Sequence, residues 1–176
     1  MHKMVILGLL ALAVSARLAA ASSPSLLLAV ERQDTHYDLQ GTVWTDQALV
    51  YVESDRTVEE AVQQNGDVHQ PPGGYVLRGA AGKSAFTRLR AKIAAVPATQ
   101  PARCHVLPSA LPDTAALSWR LHIQRGGHAM QTIQVTSWDD SLPACSAAVE
   151  DLLLATEQVI FDVAHRAGTT VLSSAS

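Results

Sequence analysis

The segment 117–124 constrains the fold of this 176-residue chain most strongly, because apolar and polar residues alternate along it without a break. The apolar positions are Leu117, Trp119, Leu121 and Ile123, and the polar ones are Ser118, Arg120, His122 and Gln124. Successive side chains of a β-strand point to opposite faces of the sheet, so the pattern predicts a strand with one buried and one exposed face.

A second strand is predicted to return after this one. Ile133 and Val135 lie opposite Leu121 and Trp119 only if the connecting loop is the three-residue segment 126–128. A slip of one residue would turn both side chains to the exposed face, so burial fixes the register of the hairpin.

Two segments have the spacing of amphipathic helices. Apolar residues recur at helical intervals over 84–96, with Ser84 as N-cap. A second helix is predicted from Pro143 to Arg166, with Gly168 as C-cap. The sequence therefore predicts an α+β fold: an antiparallel sheet with two helices packed on one face, in the order strands, helix, hairpin, helix.

The first half of the chain carries weaker signals. Its predicted elements are a strand at 25–32, a turn at 33–35, a hairpin at 42–53 that turns at Asp46-Gln47, a short helix at 57–64, a loop at 65–74 and a short strand at 75–78.

The N-terminus has the three parts of a secretory signal peptide: a positive start at Lys3, an apolar stretch over 4–16, and an A-x-A site that ends at Ala21. The apolar stretch ends before Arg17 and is shorter than the roughly 20 residues that cross a bilayer. We therefore expect cleavage after residue 21.

The mature chain is expected to be one α+β domain over 22–168 with a flexible tail at 169–176. It is expected in the periplasm or outside the cell, without stable membrane insertion after cleavage.

Two cysteines, Cys104 and Cys145, lie 41 residues apart. An even number of cysteines in an exported chain favours a disulfide, with a reactive thiol as the alternative. Residues 97–113 contain four prolines and are predicted to be a connector that Cys104 holds in place.

Charge is distributed unevenly along the chain. No acidic residue lies between Asp67 and Asp113, and six basic residues give this stretch a net charge of +6, against −5 for the mature chain. Arg88 and Lys92 lie four residues apart on the first helix, where like charges repel unless opposite charges lie nearby. Either the acidic second helix compensates them, or the basic surface binds an acidic protein.

No catalytic, cofactor or metal-binding residue is assigned from the sequence. The six histidines of the mature chain lack metal-ligand spacing. The overall acidity and only eight aromatic residues argue against a nucleic-acid partner. The hairpin register places His122 opposite Thr132, and a small periplasmic hydrolase that uses His122, His128 and Asp139 stays as an alternative.

Several segments of the second half share the pattern of a known family. They are Ser84-Ala85-Phe86-Thr87-Arg88-Leu89, the strand 117–123, the Gly126-Gly127 turn, Thr132-Ile133-Gln134-Val135, and Leu142-Pro143 leading into 149–154. This half of the chain resembles the small emfourin-type inhibitors of thermolysin-like metallopeptidases. The resemblance implies a non-enzymatic protein that inhibits a secreted peptidase. The signal peptide, the longer N-terminal sheet region and the disulfide depart from that pattern, and no inhibitory residue is carried over.

We expect an exported, non-enzymatic, disulfide-stabilised module that binds a protein, as an inhibitor of a secreted peptidase or as an immunity-type factor against a toxin. The predicted partner-binding residues are Arg88, Lys92, Arg120, His122 and Gln134, with the 65–74 loop as a further candidate surface. A structural component of an envelope assembly is the remaining alternative.

Overall fold

Seven strands and two helices make up the computed structural model, which describes residues 26–37, 43–65, 73–106 and 116–166. The strands are β1 (Leu26–Tyr37), β2 (Val43–Glu53), β3 (Thr57–Gln64), β4 (Gly73–Ala80), β5 (Arg103–His105), β6 (Ala116–Ile123) and β7 (Gln131–Thr136), and the helices are α1 (Lys83–Ala95) and α2 (Ala147–Arg166). The predicted signal peptide, most of the 65–74 loop, Gly168 and the 169–176 tail lie outside the described residues.

All seven strands form one sheet in the order β4-β3-β2-β1-β6-β7-β5. The predicted α+β class is confirmed. One detail differs, because β5 pairs with β7 in parallel whereas every other neighbouring pair is antiparallel. The chain reaches this edge through the connector after α1 rather than through a hairpin, so antiparallel pairing is not imposed there.

The β6–β7 hairpin has the predicted register. Leu121 pairs with Ile133 and Trp119 with Val135, and all four side chains are buried. Gly127, in the connecting loop, has a φ of 75°, a left-handed conformation that glycine adopts without steric cost.

Both helices pack on one face of the sheet, here called the helix-covered face. On β1 this face carries Leu28 and Val30, which join buried residues of both helices in one core cluster. The opposite face carries Ala29 and Glu31 on β1, and neither described helix lies on it, so we call it the helix-free face. A second, smaller cluster of buried apolar residues lies there: Leu26, Ala29, Leu49 and Tyr51.

The predicted turns in the first half of the chain do not form. Residues 33–35 lie inside β1, and Asp46-Gln47 lies inside β2. The two strands pair without interruption from Leu28 to Tyr37 on β1, and β6 pairs with the other side of β1. These long-range backbone hydrogen bonds outweigh the local turn preference of the polar residues.

The predicted helix at 57–64 is strand β3, and its β2 and β4 neighbours supply the pairing that overrides the helix preference of Glu59 and Glu60. The short strand predicted at 75–78 is part of β4.

Both helices start elsewhere than predicted. Gly82, rather than Ser84, is the N-cap of α1, and its amide donates a hydrogen bond to Asp162 of α2 at 2.6 Å. Helix α2 starts at Ala147, four residues after Pro143. The Pro143 carbonyl accepts a hydrogen bond from the His105 amide, so the chain at Pro143 runs alongside β5 instead of entering the helix.

The predicted disulfide between Cys104 and Cys145 is present, with Cα atoms 4.9 Å apart. It joins β5 to the segment that precedes α2. The Cys145 amide donates a hydrogen bond to the His105 carbonyl at 2.8 Å, so covalent and backbone contacts hold the same edge of the sheet.

Candidate functional site

The predicted partner-binding residues lie on two separate surfaces. Arg120, His122 and Gln134 share the helix-free face of β6 and β7, where Arg120 pairs directly with Gln134. Arg88 and Lys92 lie on α1, which packs on the opposite face of the sheet. The five residues therefore do not form one site.

Two of the four basic residues of α1, Arg88 and Lys92, contact α2. Lys92 forms an ion pair with Asp151 at 2.5 Å, and Arg88 donates a hydrogen bond to the Gln158 side chain at 3.0 Å. These contacts favour the interpretation that the acidic helix compensates the basic one, and they leave α1 a weaker candidate for binding a partner.

A row of polar residues crosses the helix-free face from β6 to the sheet edge. The strand pairing places Arg120, Gln134 and Arg103 side by side. Arg103 is exposed, and no carboxylate in the described part of the chain lies within ion-pair distance of it. We call the surface formed by Arg103, Arg120, Thr132 and Gln134, together with Glu31 and the His122 beneath it, the sheet patch. His122 was predicted on the exposed face of β6, but its side chain is buried, with 7% of the residue exposed.

Three contacts fix the geometry at the centre of the sheet patch. Arg120 donates a hydrogen bond to one oxygen of Glu31 at 2.9 Å, and His122 Nε2 lies 3.4 Å from the other oxygen. His122 Nδ1 lies 3.1 Å from the Thr132 hydroxyl. The hydrogen bond from His122, helped by the charge of Arg120, lowers the pKa of Glu31 despite its partial burial.

The sequence could not reveal Glu31 and Arg103 as members of this surface. Glu31 is 91 residues from His122 in the chain, and Arg103 lies in a proline-rich connector without strand periodicity. Only the pairing of β1 with β6 and of β5 with β7 brings them to the patch.

The structure does not bring His122, His128 and Asp139 together. His128 lies in the loop at one end of the β6–β7 hairpin, and Asp139 follows β7 at the other end. The six residues of β7 separate these ends by about 17 Å at the usual rise per residue. Asp139 instead accepts hydrogen bonds from the amide and hydroxyl of Ser141.

A second polar cluster lies on the helix-covered face, and we call it the covered cluster. Its members are Arg32, Asp34, Glu60, Tyr75 and Glu157. Arg32 forms ion pairs with Glu157 of α2 at 3.1 Å and with Asp34 at 3.3 Å. Tyr75 donates a hydrogen bond to Glu60 at 3.1 Å. Burial raises the pKa of both Asp34 and Glu60, and burial together with the charge of Glu60 raises the pKa of Tyr75 to about 12.

Comparison of the chain with protein-family models, with curated proteins and with solved structures found no match. The resemblance to emfourin-type inhibitors therefore stays a prediction. Among the described residues, no group of three or more metal-binding side chains is arranged to hold a metal ion, and neither helix is long and apolar enough to span a membrane.

Proposed function

We propose that the chain is an exported, non-enzymatic module that binds another protein through the sheet patch, and that its activity is the inhibition of a secreted peptidase. The observation that carries this proposal is the row of Arg103, Gln134 and Arg120 on the helix-free face, with Arg103 exposed and without a carboxylate partner in the described residues.

The chemistry of the row favours an acidic protein surface. Guanidinium groups bind carboxylates through paired, charge-assisted hydrogen bonds, and the Gln134 amide adds donors between them. Neighbouring strands lie about 4.8 Å apart, so the backbones of β5 and β6 are separated by roughly 10 Å. Such a row matches a short acidic segment that crosses the strands.

The anchoring of the patch also favours a binding role. Cys104 follows Arg103 directly, and its disulfide fixes β5 to the rest of the fold. Arg120 is held by Glu31, and Thr132 by His122. A surface that is ordered before binding loses little conformational entropy when a partner docks, which favours affinity.

The test uses the mature, oxidised protein and thermolysin as a defined peptidase. We expect saturable inhibition that weakens at high salt, because exposed charge pairs are screened. The double variant Arg103→Glu/Arg120→Glu should weaken inhibition by about tenfold or more. The matched control Lys83→Glu/Arg90→Glu makes the same charge change on exposed positions of α1 and should leave inhibition within about twofold.

Equal loss in the two double variants would show that net charge, and not the sheet patch, determines binding. If thermolysin is not inhibited at all, the same variants are compared in pull-downs from periplasm and culture supernatant. A partner that the wild type and the α1 variant retain and the patch variant loses would support the proposal. If the sheet-patch variant and the α1 variant capture the same proteins, the proposal is refuted.

One contact favours a hydrolase as the second candidate, with different residues from those the sequence suggested. With its proton on Nε2 directed at Glu31, His122 can accept the hydroxyl proton of Thr132 at Nδ1, which is the order nucleophile, base and orienting carboxylate. Hydrolysis of p-nitrophenyl acetate tests this candidate. The hydrolase candidate predicts that the wild type hydrolyses this ester and that Thr132→Val and His122→Gln each abolish the hydrolysis. A hydrolysis rate that Thr132→Val leaves unchanged would exclude the candidate.

A further inference from the structure

The two edges of the sheet differ in how they are protected. The β5 edge has only three residues, the disulfide anchors it, and a bridge between His105 and Ala144 extends it. The β4 edge is eight residues long and pairs with β3 in an unbroken register. It contains no proline, and Arg78 is its single charged residue. Short strands, prolines, bulges and charges normally protect sheet edges against pairing with other chains.

Within the described part of the chain, β4 pairs with β3 alone, so its outer side offers a row of backbone donors and acceptors. Helix α2 covers the face of β4 and not this outer side. It packs so closely that a Cβ atom on Gly79 would lie 2.8 Å from Val163. Helix α2 and strand β3 therefore hold β4 in place, while no strand of the described residues pairs with its outer edge.

We infer that β4 pairs antiparallel with β4 of a second copy of this chain, about a two-fold axis perpendicular to the sheet, so that one continuous sheet runs through both copies. This inference does not rest on the proposed function, because the sheet patch reaches the opposite edge and stays accessible in both copies.

The sequence of β4 complements itself in this arrangement. An axis through Val76 places Val76 opposite Val76 of the second copy, Tyr75 opposite Leu77, and Gly74 opposite Arg78. Each residue then meets a residue of the same sheet face, as strand pairing requires, and the arginines do not oppose each other. Val76 is 48% exposed in the single chain, and the pairing gives it an apolar neighbour.

Sedimentation of the mature, oxidised protein over a wide concentration range tests the inference. We expect a dimer that Val76→Lys converts to monomer, since it places two ammonium groups opposite each other. The matched control is Val43→Lys, which adds the same charge at a residue that is 54% exposed on β2, and it should stay dimeric. Circular dichroism and unfolding of both variants separate loss of pairing from loss of folding.

Cross-linking tests the register. Val76→Cys should form a covalent dimer on mild oxidation, whereas Arg78→Cys, which lies opposite Gly74, should not. A wild type that stays monomeric at all concentrations would overturn the inference. It would be overturned in the same way if the β4 edge paired only with a strand of a different protein. A dimer that Val76→Lys leaves intact, or that cross-links through Arg78→Cys instead, would overturn it as well.

Discussion

Glu31 and Arg32 are neighbours on β1, yet they organise polar clusters on opposite faces of the sheet. On the helix-free face, Glu31 accepts hydrogen bonds from Arg120 and lies beside His122. On the helix-covered face, Arg32 reaches α2 and pairs with Glu157. The same strand thus supplies an acid to one cluster and a base to the other.

The two clusters differ in how well their charges are matched. Glu31 has two donors, and its pKa is lowered. The covered cluster holds three carboxylates and one guanidinium, and burial raises the pKa of Asp34 and Glu60. Ionisation of Glu31 therefore stabilises the fold, whereas burial makes the ionisation of Asp34 and Glu60 oppose folding.

This difference distinguishes a cluster that stabilises the fold from the surface that we propose to bind a partner. The covered cluster ties α2 to the sheet through the ion pair of Arg32 with Glu157. The helix-free face keeps an exposed Arg103, and an Arg120 side chain that is 52% exposed, beside residues whose positions are fixed.

Removal of the disulfide should have the largest effect, because it links the edge of the sheet patch to the start of α2. For a loop of 41 residues, the double variant Cys104→Ala/Cys145→Ala should lose about 4 kcal/mol of unfolding free energy. Urea unfolding at neutral pH measures it. A loss below about 1 kcal/mol would mean that the backbone hydrogen bonds of β5 hold this edge without the covalent link.

Arg32→Met should come next, since it leaves the buried carboxylates of the covered cluster without their cation. We expect a loss of about 2 kcal/mol, less than for a fully buried pair because the Arg32 side chain is 29% exposed. Urea unfolding of this variant and of Arg120→Met compares the loss of unfolding free energy on the helix-covered face with that on the helix-free face. An equal loss in both would contradict the distinction between a structural and an available cluster.

Lys92→Ala should have the smallest effect. Its ion pair with Asp151 lies at the surface, where such pairs contribute about 0.5 kcal/mol. A double-mutant cycle with Asp151→Ala measures the coupling. A coupling energy near zero would remove the support for charge compensation between the helices and return α1 to the candidate binding surfaces.

The second half of the chain could be predicted from sequence because its apolar residues recur at regular intervals that place them on one face of each strand or helix. The alternation over 117–124 fixed the face and the register of β6, and so placed Arg120, His122 and Gln134 together. The first half lacks this pattern. Asp34 and Asp46 suggest turns locally, but they lie in paired strands, where Asp34 contacts Arg32 and Asp46 lies 3.5 Å from His36.

The incomplete prediction of the candidate site has the same cause. Arg103 and Glu31 join the sheet patch through parallel and long-range strand pairing, which no local spacing encodes. The stacking of His36 on Trp44, with ring centroids 5.3 Å apart, likewise depends on the β1–β2 register and is invisible in the sequence.

The pH dependence of unfolding in Glu31→Gln and Glu60→Gln tests the contrast between the faces most directly. The lowered pKa of Glu31 means that its ionised form stabilises the fold above its usual pKa of 4.5 and that this stabilisation is lost as pH falls through the folded value. The raised pKa of Glu60 means the reverse, because its ionisation costs stability once the pH exceeds 4.5.

At pH 7 we therefore expect Glu31→Gln to lose about 1 kcal/mol and Glu60→Gln to gain about as much, since a glutamine oxygen can still accept the Tyr75 hydroxyl. Both differences should shrink toward zero in acid, well below pH 4.5. Changes of the same sign at pH 7, or differences that do not vary with pH, would contradict the opposite roles of the two faces.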